Sequence, residues 1–170
     1  YPQFKVEEFT VLPQGNHYLV NMSFAPFRTN PEDWKLKDLK CLAKVSMTFK
    51  IYADGTVEGL EQMSDAGNLD KAHMLPRFGM QMAMPGSFDT FEFFGLGPHE
   101  NYIDRCEGAD IGLYRSKISD LYVEYQKPQE YGERTGVRYA RLKGDRVVSF
   151  EADTEIELNV SPYTAYMLED

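Results

Sequence analysis

Basic residues are scarce in this chain: its 170 residues carry 18 Lys+Arg against 27 Asp+Glu, a formal net charge of −9. That argues against a nucleic-acid binder, because neutralising phosphates needs a basic face. Cysteine is scarcer still. The two present, Cys41 and Cys106, give no disulfide framework and cannot form a metal site by themselves, so the redox compartment stays open. Apolar residues nowhere run unbroken for the roughly 18 positions that a spanning helix requires, so no membrane segment is expected. The start, Tyr1-Pro2-Gln3-Phe4, has neither an initiator Met nor a basic leader and reads as a piece cut from something longer. What is plentiful is apolar surface. With 42% hydrophobic and 14% aromatic residues the chain is too apolar to be disordered, and its length suffices for one well-buried domain over residues 1–170.

Apolar residues alternate with polar ones over segment after segment, the period of a half-buried strand. Tyr18, Val20, Met22 and Phe24 fall on one face, and Val45, Met47, Phe49 and Ile51 alternate as cleanly. Asp54-Gly55 then interrupts before Val57 to Met63, a hairpin signal, because Asp-Gly supplies the positive φ of a tight turn. The same logic recurs late: Val137 to Leu142, the turn Gly144-Asp145, Arg146 to Phe150, then Ile156, Leu158 and Val160 as a further strand. Arg77 to Met84 and Phe88 to Phe94 are two more strand candidates, separated by Pro85-Gly86. Only Asn30 to Leu39 looks helical, with Pro31, Glu32 and Asp33 suited to a first turn. The expectation is about eight to ten strands in an all-β, antiparallel sandwich or curved double sheet. The stretch from Gly95 to Arg134 is the exception, long and without clear periodicity, and such loops tend to carry function or pack against something.

Several patterns in that stretch invite chemistry. Gly95-Leu96-Gly97 follows a strand, but Pro98 comes next and no helix opens there, so a phosphate cradle is not expected. His99, Glu100 and Asp104 resemble a metal cluster, yet His17 and His73 sit in unrelated contexts, and no metal site is assigned. Cys106 lies near His99 without the orienting group or oxyanion hole that a nucleophile needs. Glycoside hydrolysis requires two carboxylates about 5 to 10 Å apart, and Glu100, Asp104, Glu124, Glu130 and Glu133 are all here. Arg105, Arg115, Arg134 and Arg138 share the region, so structural ion pairs rank first, carbohydrate contact second and catalysis last. Neighbouring rings, Tyr102, Tyr122, Tyr125 and Tyr131 among them, suit either a sugar face or a core.

Three segments then resemble a known family in order. They are Leu75-Pro76-Arg77-Phe78-Gly79; Gly95-Leu96-Gly97-Pro98-His99-Glu100-Asn101-Tyr102-Ile103-Asp104-Arg105; and Tyr125-Gln126-Lys127-Pro128-Gln129-Glu130-Tyr131-Gly132-Glu133-Arg134. With the late strand Leu158 to Tyr163, they closely resemble the C-terminal domain of glycoside hydrolase family 2 β-galactosidases. The resemblance spans most of residues 40 to 170. It implies an antiparallel β-supersandwich of galactose-mutarotase-like type, here an incomplete portion, within an enzyme of carbohydrate metabolism. It implies also that catalysis resides elsewhere, since the family's acid/base and nucleophile glutamates belong to a preceding barrel domain. No catalytic residue is therefore assigned in this chain. Among its own residues, His99, Glu100, Asn101, Asp104, Arg105, Glu130 and Arg134 are the candidates for substrate contact, behind the ion-pair reading.

No cofactor is expected in the chain, although the resemblance allows Mg or Na in the parent's barrel. Implied partners are the parent's remaining domains, a galactoside and another copy of the protein. Two rival readings stand beside this one: an autonomous carbohydrate-binding module, and a mutarotase-like epimerase using His99 and Glu130 as its bases. The compartment is left open between bacterial cytoplasm and periplasm. The family carries an Arg-Ala-Pro-x-Asp-Asn segment near the domain's start and an active-site aromatic near its end. Neither is matched here, where Trp34 stands upstream of the motifs. Both ends of the domain are thus expected to be missing, and segments 17–27 and 147–160, nearest the two cuts, to lie at sheet edges.

Overall fold

Side chains that alternate in polarity need a ladder partner on each side, and the strands find them in two antiparallel sheets. The computed structural model describes residues 3–28, 40–41, 43–65, 77–164 and 167–168. The expected helix at 30–39 lies outside the described residues, as do Trp34 and His73. The chain divides into two compact units, Tyr1–Gln81 and Met82–Asp170. Among the described residues there are nine strands, within the expected number, and the all-β antiparallel class holds.

The first unit holds β1 (Gln3–Gln14), β2 (His17–Arg28), β3 (Lys40–Cys41), β4 (Ala43–Tyr52) and β5 (Val57–Asp65). Their order is β1-β2-β4-β5, with β3 pairing β2. The Asp54-Gly55 hairpin forms as expected: Tyr52 N donates to Thr56 O at 2.9 Å, and Asp54 Oδ1 accepts from Thr56 N at 2.9 Å. Segment 17–27 is not at an edge, because β1 pairs along its whole length. That strand escaped the periodicity for a physical reason. A bulge between Val6 and Glu8 shifts the register, so Val6, Phe9 and Val11 share a face although their spacing is not two throughout.

The second unit is a sheet of β6 (Thr90–Gly97), β7 (Asp110–Lys117), β8 (Glu133–Lys143) and β9 (Val147–Asn159), in the order β7-β6-β8-β9. Its core is Phe91, Phe93, Val137, Ala140 and Leu142, joined by Leu121 from a 3₁₀ turn at Ile118–Leu121. The Gly144-Asp145 hairpin links β8 to β9, and β9 is an edge among the described strands, as expected. Three expectations change. Ile156 and Leu158 continue β9 instead of starting a new strand. Arg77 to Met84 forms no strand; its Phe78, Met80 and Met82 are exposed and find no ladder. Within the stretch expected to be irregular lies β7, hidden because Ile111 and Leu113 point outward, 62% and 58% exposed, while Gly112, Tyr114 and Ser116 turn inward.

Candidate functional site

The motif that ends β6 is built around close approaches. A Cβ on Gly97 would lie 2.6 Å from the Tyr114 ring, and one on Gly95 would lie 2.9 Å from the Val137 Cα. The two glycines therefore clear space for packing, which accounts for their spacing without a phosphate. Beyond them the chain turns back over the sheet, and Asn101, 2% exposed, holds the turn. Its Nδ2 donates to Leu96 O at 2.8 Å and to His99 O at 3.2 Å. Its Oδ1 accepts from the Thr135 N at 3.0 Å and the Thr135 hydroxyl at 2.5 Å, and its own N–H donates to Glu133 O at 2.9 Å. One buried amide thus ties the loop to β6 and β8, with every donor and acceptor satisfied as burial demands.

Glu100 is the centre of the next layer. Its side chain is 10% exposed; Oε1 accepts from Arg105 Nη2 at 2.9 Å and from the Tyr125 hydroxyl, and Oε2 accepts from Gly132 N at 2.7 Å. Arg105 Nη2 also donates to the Tyr125 oxygen at 2.8 Å. That hydrogen bond holds the guanidinium above its usual pKa. The same cation lies 5.1 Å from the Tyr102 ring centre and 6.0 Å from that of Tyr125. Burial pushes the Tyr102 phenol up to about 12. Glu100 and Arg105 thus form the expected ion pair, and Tyr125 and Gly132 join it from 25 and 32 residues away.

Arg134 departs from expectation. It is 3% exposed, its Nη1 donates to the carbonyls of Gly132 and Glu133 at 3.0 Å, and its guanidinium carbon sits 5.7 Å from the Phe93 ring centre. Backbone carbonyls replace the carboxylate expected as its partner, and burial lowers its pKa below the usual arginine value. Glu130 accepts from Asn159 Nδ2 at 3.1 Å, and the same amide donates to Tyr131 O at 2.6 Å. His99 and Asp104 are exposed. The structure therefore gathers Glu100, Asn101, Arg105 and Arg134 around β6 and β8, ties Glu130 to β9, and leaves His99 and Asp104 facing solvent. Tyr125, Gly132, Thr135 and Asn159 complete the cluster without having been singled out as partners. All four lie inside or beside the segments quoted for the resemblance, and that was the available signal.

Chemically the cluster is a latch. Glu100 already accepts from an arginine, a phenol and a backbone amide, which leaves it poorly placed to act as a proton shuttle. Among the described residues no three of His, Cys, Asp and Glu come together as a metal would require. None of the described helices is long and apolar enough to cross a membrane.

Comparison with known proteins agrees with this arrangement. Residues 4–170 match the family model described as the β-galactosidase small chain. A β-galactosidase of Priestia megaterium is 29% identical over 166 residues, covering 96% of this chain and 15% of that protein. One from Halalkalibacterium halodurans is 34% identical over 131 residues, 74% of this chain and 13% of that protein. A third, from Lactobacillus delbrueckii subsp. bulgaricus, is 29% identical over 153 residues, 79% of this chain and 15% of that protein. The chain thus spans about a seventh of the length of these relatives. With the match running along nearly its whole length, the chain belongs to the β-galactosidase small-chain family.

Proposed function

We propose that this chain is a non-catalytic β-sheet portion of a retaining β-galactosidase. The observation that carries the reading is Glu100: the motif's best-placed carboxylate is consumed by Arg105, Tyr125 and Gly132 in holding a loop on a sheet. Retaining hydrolysis of a terminal β-galactoside needs two carboxyl groups about 5–5.5 Å apart, one as nucleophile and one as acid/base. In this reading both come from the parent's barrel domain, which also holds any Mg or Na the reaction uses. The chain's partners are then the remaining domains of that enzyme, and the galactoside is met only by the assembled protein.

The test is hydrolysis of a nitrophenyl β-galactoside by the purified chain, with a lactose titration followed by NMR alongside. The expected result is turnover at background and no sugar-dependent shifts. Turnover that survives purification and disappears in Glu100→Gln or Glu130→Ala would overturn the reading. Saturable shifts centred on Asn101, Arg105 or Glu130 would move it to the carbohydrate-binding alternative.

A further inference from the structure

Asp54-Gly55 is the one Asp-Gly step in the chain, which has no Asn-Gly. A glycine after aspartate leaves the next peptide nitrogen unshielded, so that nitrogen can attack the side-chain carboxyl carbon. A C–N bond then forms at Asp54 Cγ, the carboxyl hydroxyl leaves with the amide hydrogen as water, and the product is a five-membered succinimide. Water reopens that ring at either carbonyl. One opening restores aspartate, and the other gives isoaspartate, whose peptide linkage runs through the side chain. Water is lost and then regained, so the change needs no other reactant, and Asp54 is exposed to it.

In the hairpin both reacting groups are already engaged. Gly55 N, the nucleophile, donates to Tyr52 O at 3.1 Å, and Tyr52 N donates to Thr56 O at 2.9 Å, which closes the turn. The carboxyl is drawn to the next residue, where Asp54 Oδ1 accepts from Thr56 N at 2.9 Å. Gly55 sits at φ +91°, so the turn occupies a conformation that favours glycine. Beside it Glu58 accepts from Lys50 Nζ at 2.8 Å and from the Tyr52 hydroxyl at 3.0 Å, fastening the ends of β4 and β5 across the turn. Hydrogen bonds from Thr56 also hold the Asp54 carboxyl below the usual carboxylate range, and the ionised form lacks the hydroxyl that must leave. We propose that Asp54 is a conformation-gated modification site: the closed β4–β5 hairpin withholds it from succinimide formation, and opening of the hairpin releases it. All the contacts that form the gate lie within one hairpin of the first unit. The product records the opening, because isoaspartate inserts an extra main-chain carbon between strands whose register begins at Ile51 and Val57.

The deciding experiment ages the purified chain at neutral pH in buffer and in a series of urea concentrations up to full unfolding. Isoaspartate at position 54 is counted by electron-transfer mass spectrometry, and hydrogen exchange of the Gly55 amide is followed in the same samples. Isoaspartate should accumulate at least about tenfold more slowly in buffer than in the unfolded chain, since reaction waits on a local opening. Below the unfolding midpoint its rate should climb in parallel with Gly55 exchange, because both report the same opened hairpin. Rates in buffer and in full urea that agree within about twofold would overturn the gate. So would isoaspartate that speeds up along the series while Gly55 exchange stays flat, for attack would then proceed from the closed turn.

Discussion

Replacing Glu100 with alanine should destabilise the second unit by an amount that its three partners set. Gly132 is buried, so its N–H loses an acceptor where water cannot replace it, at about 1–3 kcal/mol. The Tyr125 hydroxyl is half-buried and forfeits a net hydrogen bond of roughly 0.5–1.5 kcal/mol. Arg105 is 58% exposed, and an exposed pair contributes about 0–1 kcal/mol. Together these give roughly 1.5–5.5 kcal/mol, or a melting-temperature drop of about 3–22 °C for a chain of this size. Glu100→Gln separates acceptor from charge. Its carbonyl oxygen can still receive the Gly132 N–H, so its cost should stay near 1 kcal/mol or less. Urea unfolding followed by tyrosine fluorescence measures both variants. Should both fall within about 0.5 kcal/mol of wild type, the Gly132 amide is not relying on Glu100. Equal large losses would refute the reasoning in another way, by showing that charge rather than acceptor geometry holds the loop.

Gly95→Ala should cost roughly 1–3 kcal/mol by forcing a methyl against the β8 backbone, whereas Gly108→Ala, with nothing within 4 Å, should be near neutral in the same assay. Tyr102 should ionise late. Because burial raises its folded pKa to about 12, its stabilising contribution is complete below the ordinary value near 10 and is lost as pH climbs towards 12. Ultraviolet titration of Tyr102→Phe should accordingly lose one late phenol, and an unchanged curve would contradict the burial argument. The hydrogen bond from Lys143 Nζ, 2.6 Å from Glu92 Oε2, holds Glu92 below the usual carboxylate range. Its stabilisation is present above that range and disappears on acidification through it, so Glu92→Gln should flatten the acid limb of a stability–pH curve.

Much of the fold was legible because strand periodicity and Asp-Gly turn chemistry are local. β2, β4, β5 and the β8–β9 hairpin stand where alternation put them. Strands were missed where tertiary context reversed the local signal. In β1 a bulge at Val6 and Glu8 broke the period, and in β7 the apolar residues Ile111 and Leu113 face outward while Tyr114 packs on Phe93 at 5.5 Å. At the candidate site, residue types and order were readable and the pairing was only half so. Arg105 met Glu100 as charge alone suggests, but Arg134 turned to backbone carbonyls once it was buried against Phe93.

The amino-acid sequence by itself determined the all-β class, the hairpins and the kinship with β-galactosidases, because side-chain direction along a strand depends on the chain's own two-residue period. Tertiary structure alone decided which groups satisfy one another. Asn101 reaches Thr135 across 34 residues and Glu100 reaches Gly132 across 32. Those distances are closed by the β6–β8 register and by glycines that let Tyr114 and Val137 approach. The same holds for β2, which lies inside its sheet because a bulged β1 still pairs along its outer side. A ladder partner is chosen by hydrogen-bond register between segments, and no window on one segment contains that choice.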